Sequence, residues 1–277
     1  MRILILASLE GASGVRGPVE ADWDTNDYLQ ARRWLTGDIN AAVEGAMAAG
    51  ATAFVVHDCC GLGHGNVLLD ELHPAVEVIR RRPAILYEEA DLARSYEGAF
   101  LIGMPSWGGP GISGFLGLGM QVRLNGRPVG ESEIAVALAA AYSIPTLLIT
   151  GDDRVCLNLQ RWSGSQIEAA IVKYSLSRSA VRCLPLIEAQ ERIRLAAQRA
   201  VEGRDRSQLL VLPAPLTLEI ELGREAARAL SWLPQVGHDG ERTVRYTDND
   251  FRRIYRVLLA MLWMATSRLN PDTWSVA

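Results

Sequence analysis

The stretch Arg2-Ile-Leu-Ile-Leu-Ala-Ser8 is a continuous apolar run that is followed at once by Glu10 and Gly11. The run is too short for the apolar core of a signal peptide, and an acidic residue follows it directly. Apolar residues without alternation are typical of a strand that is buried on both faces of a sheet. The stretch therefore predicts a buried first strand that ends beside a carboxylate.

Further short apolar runs alternate with longer helical patterns along the first half of the chain. The strand-like runs after the first lie at 52–57, 98–103 and 145–150, and helix-like patterns lie at 26–49 and 130–143. This alternation predicts an α/β fold with three layers, in which helices cover both faces of a mostly parallel sheet.

The rest of the chain shows a hairpin signal and then mixed elements. The Asn125-Gly126 pair inside an alternating run predicts a β-hairpin at 120–129. Past Gly151 we expect a helix, a strand and a helix up to Glu202, a polar linker at 203–207, a strand at 215–222, a helix at 224–232, a strand at 243–246 and a helix from Asp248. The last helix carries apolar residues at core-facing spacing, namely Ile254, Leu258, Met261, Leu262 and Ala265.

Composition excludes several classes of protein. The chain has 277 residues, of which 49% are hydrophobic and 22% charged, so it is neither disordered nor fibrous. A net charge of −4 and a pI near 5.7 argue against nucleic-acid and membrane partners. The apolar stretch at 257–265 is far shorter than the ~20 residues of a membrane span. Of the 28 basic residues, only Lys173 is a lysine.

The four cysteines, Cys59, Cys60, Cys156 and Cys183, show no metal-finger spacing. The adjacent pair could form a disulfide only in a strained turn. We expect all four to be thiols, which predicts a cytoplasmic protein.

In an open parallel sheet, ligands bind beyond the carboxyl ends of the strands, so residues that follow strands are the first candidates for a site. Glu10 follows the first strand, either as a site carboxylate or as a solvated turn residue. The segment from His57 to Gly65 places two imidazoles, a carboxylate and two thiols after the second strand. Either Cys59 and Cys60 are small buried hydrophobes, or one of them is an accessible thiolate.

Three further positions carry weaker signals. Met104 follows the third of these strands and precedes a glycine-rich segment at 108–119, which is either a mobile active-site loop or a structural loop. Glu131 and the pair Asp152-Asp153 stand at helix starts, where acidic residues are also favoured by the helix dipole and by capping. The sequence lacks the P-loop, the Gly-x-Ser-x-Gly elbow, the His-Glu-x-x-His pair and a dinucleotide fingerprint.

Five short segments, taken together and in order, resemble the DppA-type D-aminopeptidases. They are Glu10-Gly11-x-Ser13-Gly14, the strand end at Asp58, Asn125-x-Arg127-Pro128-Val129-Gly130-Glu131, Gly151-Asp152-Asp153 and Ser177-Arg178-Ser179-Ala180-Val181. The resemblance implies an α/β fold of two intertwined parts, assembly into a decameric ring around a chamber, and a two-zinc site that hydrolyses peptides of D-amino acids. It implies one unit over 1–277, with approximate parts at 1–150, 151–205 and 206–277.

The zinc-ligand positions implied by the resemblance are only partly kept. Glu10 and Glu131 match ligand positions, whereas Ser8 replaces an aspartate, and Cys60 and Met104 replace histidines. The position of the family's catalytic histidine falls at Gly114 or Phe115. We therefore expect no cofactor and, in particular, no two-zinc site; if one metal ion binds, Glu10, Cys60 and Glu131 would hold it.

Three functions remain open at this point. In the first, Cys60 attacks an amide or acyl carbonyl, Glu10, Glu131 or His64 moves protons, and the glycine-rich segment stabilises the oxyanion, which gives a hydrolase or an acyltransferase. Ser8, Cys59 and Met104 would then contact a small or peptide-like substrate. The second is a mononuclear metal-dependent aminopeptidase, and the third is a non-catalytic, ring-forming scaffold or binding protein. In each case we expect a homo-oligomer.

Overall fold

The fold is taken from a computed structural model of the chain. The residues that the structure describes are 1–16, 26–59, 65–80, 87, 89–93, 95–106, 120–164, 166–177 and 180–266. The helices among them are α1 (Asn26–Ala48), α2 (Glu89–Leu92), α3 (Glu131–Ala141), α4 (Asp153–Ser163), α5 (Leu186–Glu202), α6 (Arg224–Leu230) and α7 (Phe251–Thr266). The strands among them are β1 (Arg2–Ala7), β2 (Ala53–Asp58), β3 (Val76–Arg80), β4 (Gly98–Met104), β5 (Gln121–Leu124), β6 (Arg127–Val129), β7 (Thr146–Asp152), β8 (Glu168–Ser177), β9 (Ala180–Cys183), β10 (Leu216–Glu221), β11 (Gly237–Asp239) and β12 (Thr243–Asp248).

The chain forms two compact units. The first comprises Met1–Gly117 and Gly130–Val211, and the second comprises Leu118–Val129 and Leu212–Ala277. The first unit contains a sheet with the strand order β3-β2-β1-β4-β7-β8-β9. Its neighbouring strands are parallel except for β8 and β9. The predicted α/β class with a mostly parallel sheet is confirmed, while the division into 1–150, 151–205 and 206–277 stays a prediction.

β1 lies inside this sheet and is buried on both faces. Ile3 and Ile5 belong to the hydrophobic cluster that α1 and α5 form with the sheet. Leu4 and Leu6 point to the opposite face, because successive strand residues alternate, and they are at most 1% exposed. Helices α3 and α4 pack against β4, β7 and β8. The continuous apolar run is therefore explained by burial from both sides.

The second unit is built on an antiparallel sheet with the order β11-β12-β10-β5-β6. The hairpin predicted at Asn125-Gly126 connects β5 and β6, and both turn residues have positive φ, of 51° and 72°. Positive φ at both central positions is what a two-residue hairpin turn requires. Helices α6 and α7 pack against β12.

The last helix begins at Phe251 rather than at Asp248, because β12 continues to Asp248 and a turn follows in which Asp248 Oδ1 accepts a hydrogen bond from Asp250 N. Four of its predicted core residues are 1–2% exposed, namely Ile254, Leu258, Met261 and Leu262. The Ala265 side chain lies outside what the structure describes. Across the described part of the chain, no helix combines the length and the apolar character needed to cross a membrane.

Candidate active site at the carboxyl edge of the parallel sheet

Backbone hydrogen bonds join three neighbouring strands of the first unit, β1, β2 and β4, near their carboxyl ends. Ser8 N donates to Ile102 O at 2.9 Å, and Gly11 N donates to Gly103 O at 2.8 Å, which ties the segment after β1 to β4. Cys59 N donates to Ala7 O at 3.2 Å, which ties the end of β2 to β1. Residues that were predicted from three separate strand ends therefore lie at one edge of the sheet.

The segment after β1 and the end of β4 touch through their backbones. A Cβ atom at Gly11 would overlap the carbonyl oxygen of Met104, and one at Gly103 would overlap the carbonyl oxygen of Ser8. Gly103 also has a φ of +68°, in the left-handed region. Glycine is therefore required at both positions so that the two segments can approach this closely.

Glu10 is buried and its carboxylate has a fixed orientation. The residue is 7% exposed, and Ser8, which is fully buried, donates a hydrogen bond from Oγ to Glu10 Oε2 at 2.6 Å. A solvated turn residue would keep its charge in water, and Glu10 does not. Ser8 therefore orients the Glu10 carboxylate through this bond.

Asp58, at the end of β2, fixes the chain on the far side of residues 60–64. Its carboxylate accepts hydrogen bonds from Asn66 N at 2.8 Å, from Asn66 Nδ2 at 3.1 Å and from Val67 N at 3.2 Å. Burial raises the pKa of Asp58, and these hydrogen bonds oppose that rise. Asp58 thus ties residues 66 and 67 to the end of β2. The predicted catalytic residues Cys60 and His64 lie outside the described ranges.

His57 and Asp58 are neighbours in sequence but serve different contacts. His57 Nε2 lies 3.3 Å from Asp91 Oδ2, and Tyr96 also donates a hydrogen bond to that oxygen. Adjacent strand residues point to opposite faces, so the dense group of polar residues predicted after β2 separates into two environments.

Glu131 is the first residue of α3 and is 3% exposed. Helix α3 packs against β4 and β7 and leads into the amino end of β7, so its own amino end points toward the carboxyl edge of the sheet. The capping role that could have explained Glu131 is filled by Glu133, whose Oε2 accepts a hydrogen bond from Gly130 N at 2.8 Å. The sequence interpretation did not identify Glu133.

The remaining predicted positions at this edge are apolar or structural. Met104 is fully buried, and its sulfur accepts a hydrogen bond from the Tyr87 hydroxyl at 3.7 Å. Asp152 caps α4 through Val155 N at 2.8 Å, as expected for an acidic residue at a helix start. The glycine-rich segment at 108–119 lies outside the described residues.

The cysteines differ in their surroundings. Cys59 is 4% exposed, Cys156 is fully buried and Cys183 is exposed. Burial raises the pKa of the Cys156 thiol, and the nearby carboxylates of Asp152 and Asp153 raise it further. Cys156 is therefore unsuited to nucleophilic chemistry.

Lys173 is a buried charged residue beside the Glu10 segment that the strand-end reasoning did not find. Its ammonium donates hydrogen bonds to the carbonyl oxygens of Glu10 at 2.9 Å and of Ala12 and Val15 at 2.8 Å. Asp38, inside α1, accepts a hydrogen bond from Ser13 N at 2.8 Å. The available signal in the sequence was that Lys173 is the one lysine of the chain.

The donor set at this edge suits a metal in part. Glu10 and Glu131 are buried carboxylates, which are hard oxygen ligands that zinc accepts, whereas the Ser8 hydroxyl and the Met104 thioether are poor zinc ligands. No three His, Cys, Asp or Glu side chains among the described residues are grouped so that they could hold a metal ion. Cys60, the third ligand that the sequence predicted, lies outside those residues.

Comparison with known proteins gives one family. A family model described as D-aminopeptidase matches residues 1–260. A D-aminopeptidase of Bacillus subtilis (strain 168) is 26% identical over 272 residues, which cover 96% of this chain and 98% of that protein. A solved structure with a TM-score of 0.85 and 23% identity covers 96% of this chain and 98% of its own, and is described as the Zn-dependent D-aminopeptidase DppA from Bacillus subtilis, a self-compartmentalizing protease.

These relatives correct one expectation. The prediction that no cofactor is used is wrong, because the structural relative is a zinc-dependent enzyme. That prediction counted replaced ligands, and such a count does not tell whether the carboxylates that remain still hold a metal. The fold, the retained carboxylates and the match over most of the chain lead to the same conclusion: this chain belongs to the D-aminopeptidase family of peptidases.

Proposed function

We propose that this protein is a zinc-dependent aminopeptidase that removes a D-amino acid from the amino end of a peptide. Membership of the D-aminopeptidase family supports the reaction class. The structural observation that carries the proposal is the pair of buried carboxylates, Glu10 and Glu131, placed toward the carboxyl edge of the parallel sheet. This edge is where ligands bind in open α/β sheets.

We assign the metal to Glu10, Glu131 and the thiolate of Cys60. Ser8 donates a hydrogen bond to Oε2 of Glu10, and the Glu10 carboxylate would be one of the groups that hold the metal. Zinc, when bound, supplies Lewis-acid polarisation of the scissile carbonyl. Ser8 holds the Glu10 carboxylate in one orientation, and Asp58 fixes the chain after the segment that carries Cys60.

The proton transfers are assigned to His64. In the hydrolysis, a water oxygen forms a bond to the scissile carbon, and His64 accepts the proton that the water loses. The carbon–nitrogen bond then breaks, and His64 returns the proton to the leaving amine. The products are a free D-amino acid and a peptide shortened by one residue. The predicted contacts of Ser8, Cys59 and Met104 with the substrate stay predictions; all three are buried at this edge.

A cysteine mechanism, with Cys60 as nucleophile in a hydrolase or an acyltransferase, remains the competing prediction. No observation among the described residues favours it, because Cys60, His64 and the glycine-rich segment all lie outside them. A non-catalytic scaffold would keep the fold and show no turnover.

The test is metal analysis with two matched cysteine variants. We expect wild-type protein purified without chelator to contain zinc, and Cys60→Ser to weaken zinc binding at least tenfold in a chelator-competition assay. Cys183→Ser removes an exposed thiol and is the control; its affinity should stay within threefold of wild type. An unchanged zinc affinity in Cys60→Ser, together with an acyl adduct on Cys60 in the intact mass of the wild type, would establish the cysteine mechanism instead.

We also propose that copies of this chain assemble with one another. The structural relative is described as self-compartmentalizing, and the family resemblance implies a ring of ten chains. Each unit presents large apolar side chains to solvent, including Ile187 at 86% exposure in the first unit and Trp232 at 74% in the second. Burial of such side chains between copies would be favourable.

A further inference from the structure

The one lysine of the chain is completely buried beneath the segment that carries Glu10. Lys173 is 0% exposed, although lysine is almost never fully buried unless its charge is paired. The register of β8 on β7 shifts between Gly151 and Asp152, and Lys173 pairs with Asp152 after the shift. An irregularity of this kind changes the direction in which the following side chains point.

The contacts of Lys173 match the donors of an ammonium group. An ammonium has three N–H donors and no acceptor, and Lys173 Nζ lies 2.8–2.9 Å from three carbonyl oxygens, those of Glu10, Ala12 and Val15. All three donors are used. A neutral residue of similar length would leave at least one of these buried carbonyl groups without a donor.

The position of Lys173 explains how the segment after β1 is held. Two strands, β4 and β7, separate β1 from β8, so the two strands are about 14 Å apart. The segment 8–15 crosses β4 through the contact of Gly11 with Gly103 and continues to the ammonium of Lys173. On α1, Asp38 accepts the hydrogen bond from Ser13 N and lies near enough to Lys173 for the two groups to interact electrostatically.

These contacts act on Glu10 from both ends of the residue. Lys173 bonds the backbone carbonyl of Glu10, while Ser8 bonds its carboxylate. We propose that Lys173 is a positioning residue that sets Glu10 for zinc. This inference rests on the proposed zinc-dependent function and adds to it a residue that touches neither metal nor substrate. Substitution of a residue that orients a metal ligand without touching the metal typically weakens metal affinity by about 10- to 100-fold.

The test compares a substitution of Lys173 in β8 with a substitution of Gln160 in α4. Lys173→Met keeps the length of the side chain and removes the charge and the donors. Gln160→Met is the control, because Gln160 Nε2 also donates to a backbone carbonyl, that of Ile167, at the opposite end of β8. We expect Lys173→Met to bind zinc 10- to 100-fold more weakly and to lower kcat on D-alanine p-nitroanilide, with KM within threefold. Gln160→Met should leave both the zinc affinity and kcat unchanged, even if both variants unfold at a lower temperature than the wild type.

A measurement on the wild type covers the case in which Lys173→Met does not fold. If Lys173 and zinc both stabilise the Glu10 segment, bound zinc must suppress the openings that expose Lys173. We expect saturating zinc to slow acylation of Lys173 by an N-hydroxysuccinimide ester at least tenfold, while the Met1 α-amino group, at the other end of β1, reacts at an unchanged rate.

The outcomes separate this inference from the proposed function. Wild-type protein that binds no zinc would overturn both. Zinc binding by the wild type, combined with an affinity within threefold in folded Lys173→Met, would overturn the role of Lys173 alone. An acylation rate of Lys173 that is the same with and without zinc would also overturn the role of Lys173 alone.

Discussion

Asp38 is a carboxylic acid enclosed in the interior of α1 with no exposure. Burial raises its pKa to about 6 from the ordinary 3.8, and the Ser13 N–H and the Lys173 charge only partly oppose that rise. The folded protein therefore retains this proton to a higher pH than the unfolded chain does. Asp38 stabilises the fold fully below about pH 4, and this contribution is lost as the pH rises through about 6.

The comparison of wild type with Asp38→Asn tests this at the scale of one residue. The pKa difference corresponds to about 3 kcal/mol. Between pH 4 and pH 7.5, we expect the wild type to lose about 2 to 3 kcal/mol of unfolding free energy relative to the variant, which keeps the acceptor for Ser13 N. Urea unfolding of both proteins at the two pH values measures these free energies. If the difference between wild type and variant is the same at both pH values, Asp38 does not have the raised pKa.

Single residues also show where sequence reasoning reaches its limit. Glu10 could be found, because it follows an apolar run directly. The bond from Lys173 to the Glu10 carbonyl could not, because the two residues are 163 positions apart and meet only when β8 takes its place in the sheet. Glu131 and Glu133 both stand in the first turn of α3, and only the structure shows that Glu133 is the cap.

Among the elements, the segment after β1, which carries Glu10, packs closely against the end of β4. Gly11→Ala would place a Cβ against the carbonyl oxygen of Met104. This oxygen belongs to the backbone, so it cannot move away by a side-chain rotation. We expect a loss of about 1 to 3 kcal/mol and weaker zinc binding. Gly223→Ala is the control, because nothing lies within 4 Å of its Cβ position. Chemical unfolding and zinc titration of both variants measure the effects, and equal losses in the two would refute this account of the contact.

The elements that the sequence predicted are those with strong local signals. β1, β2, β4 and β7 are buried runs, and the hairpin has the Asn-Gly turn that its geometry demands. β9 was missed: it is a short strand whose residues are intermediate or exposed, so no apolar run marks it. Its place in the sheet comes from pairing with β8, which is a tertiary property.

At the scale of the whole molecule, the proposed assembly has a direct measure. A ring of ten chains would have ten times the 30.3 kDa mass of the single chain. Light scattering coupled to size-exclusion chromatography at micromolar concentration should show this mass. A species of the single-chain mass across the concentration range would contradict the assembly, and the fold of each unit would be unaffected by that result.

We propose that this member of the D-aminopeptidase family is a zinc-dependent enzyme, although the resemblance implies that Cys60 and Met104 stand at two histidine positions of the metal site. The most direct measurement is the rate of release of p-nitroaniline from D-alanine p-nitroanilide, with the L-isomer as control, by protein as purified, after removal of metal by a chelator, and after zinc is restored. We predict turnover of the D-isomer that is lost with the metal and returns with zinc. Turnover that survives complete removal of metal would contradict the account.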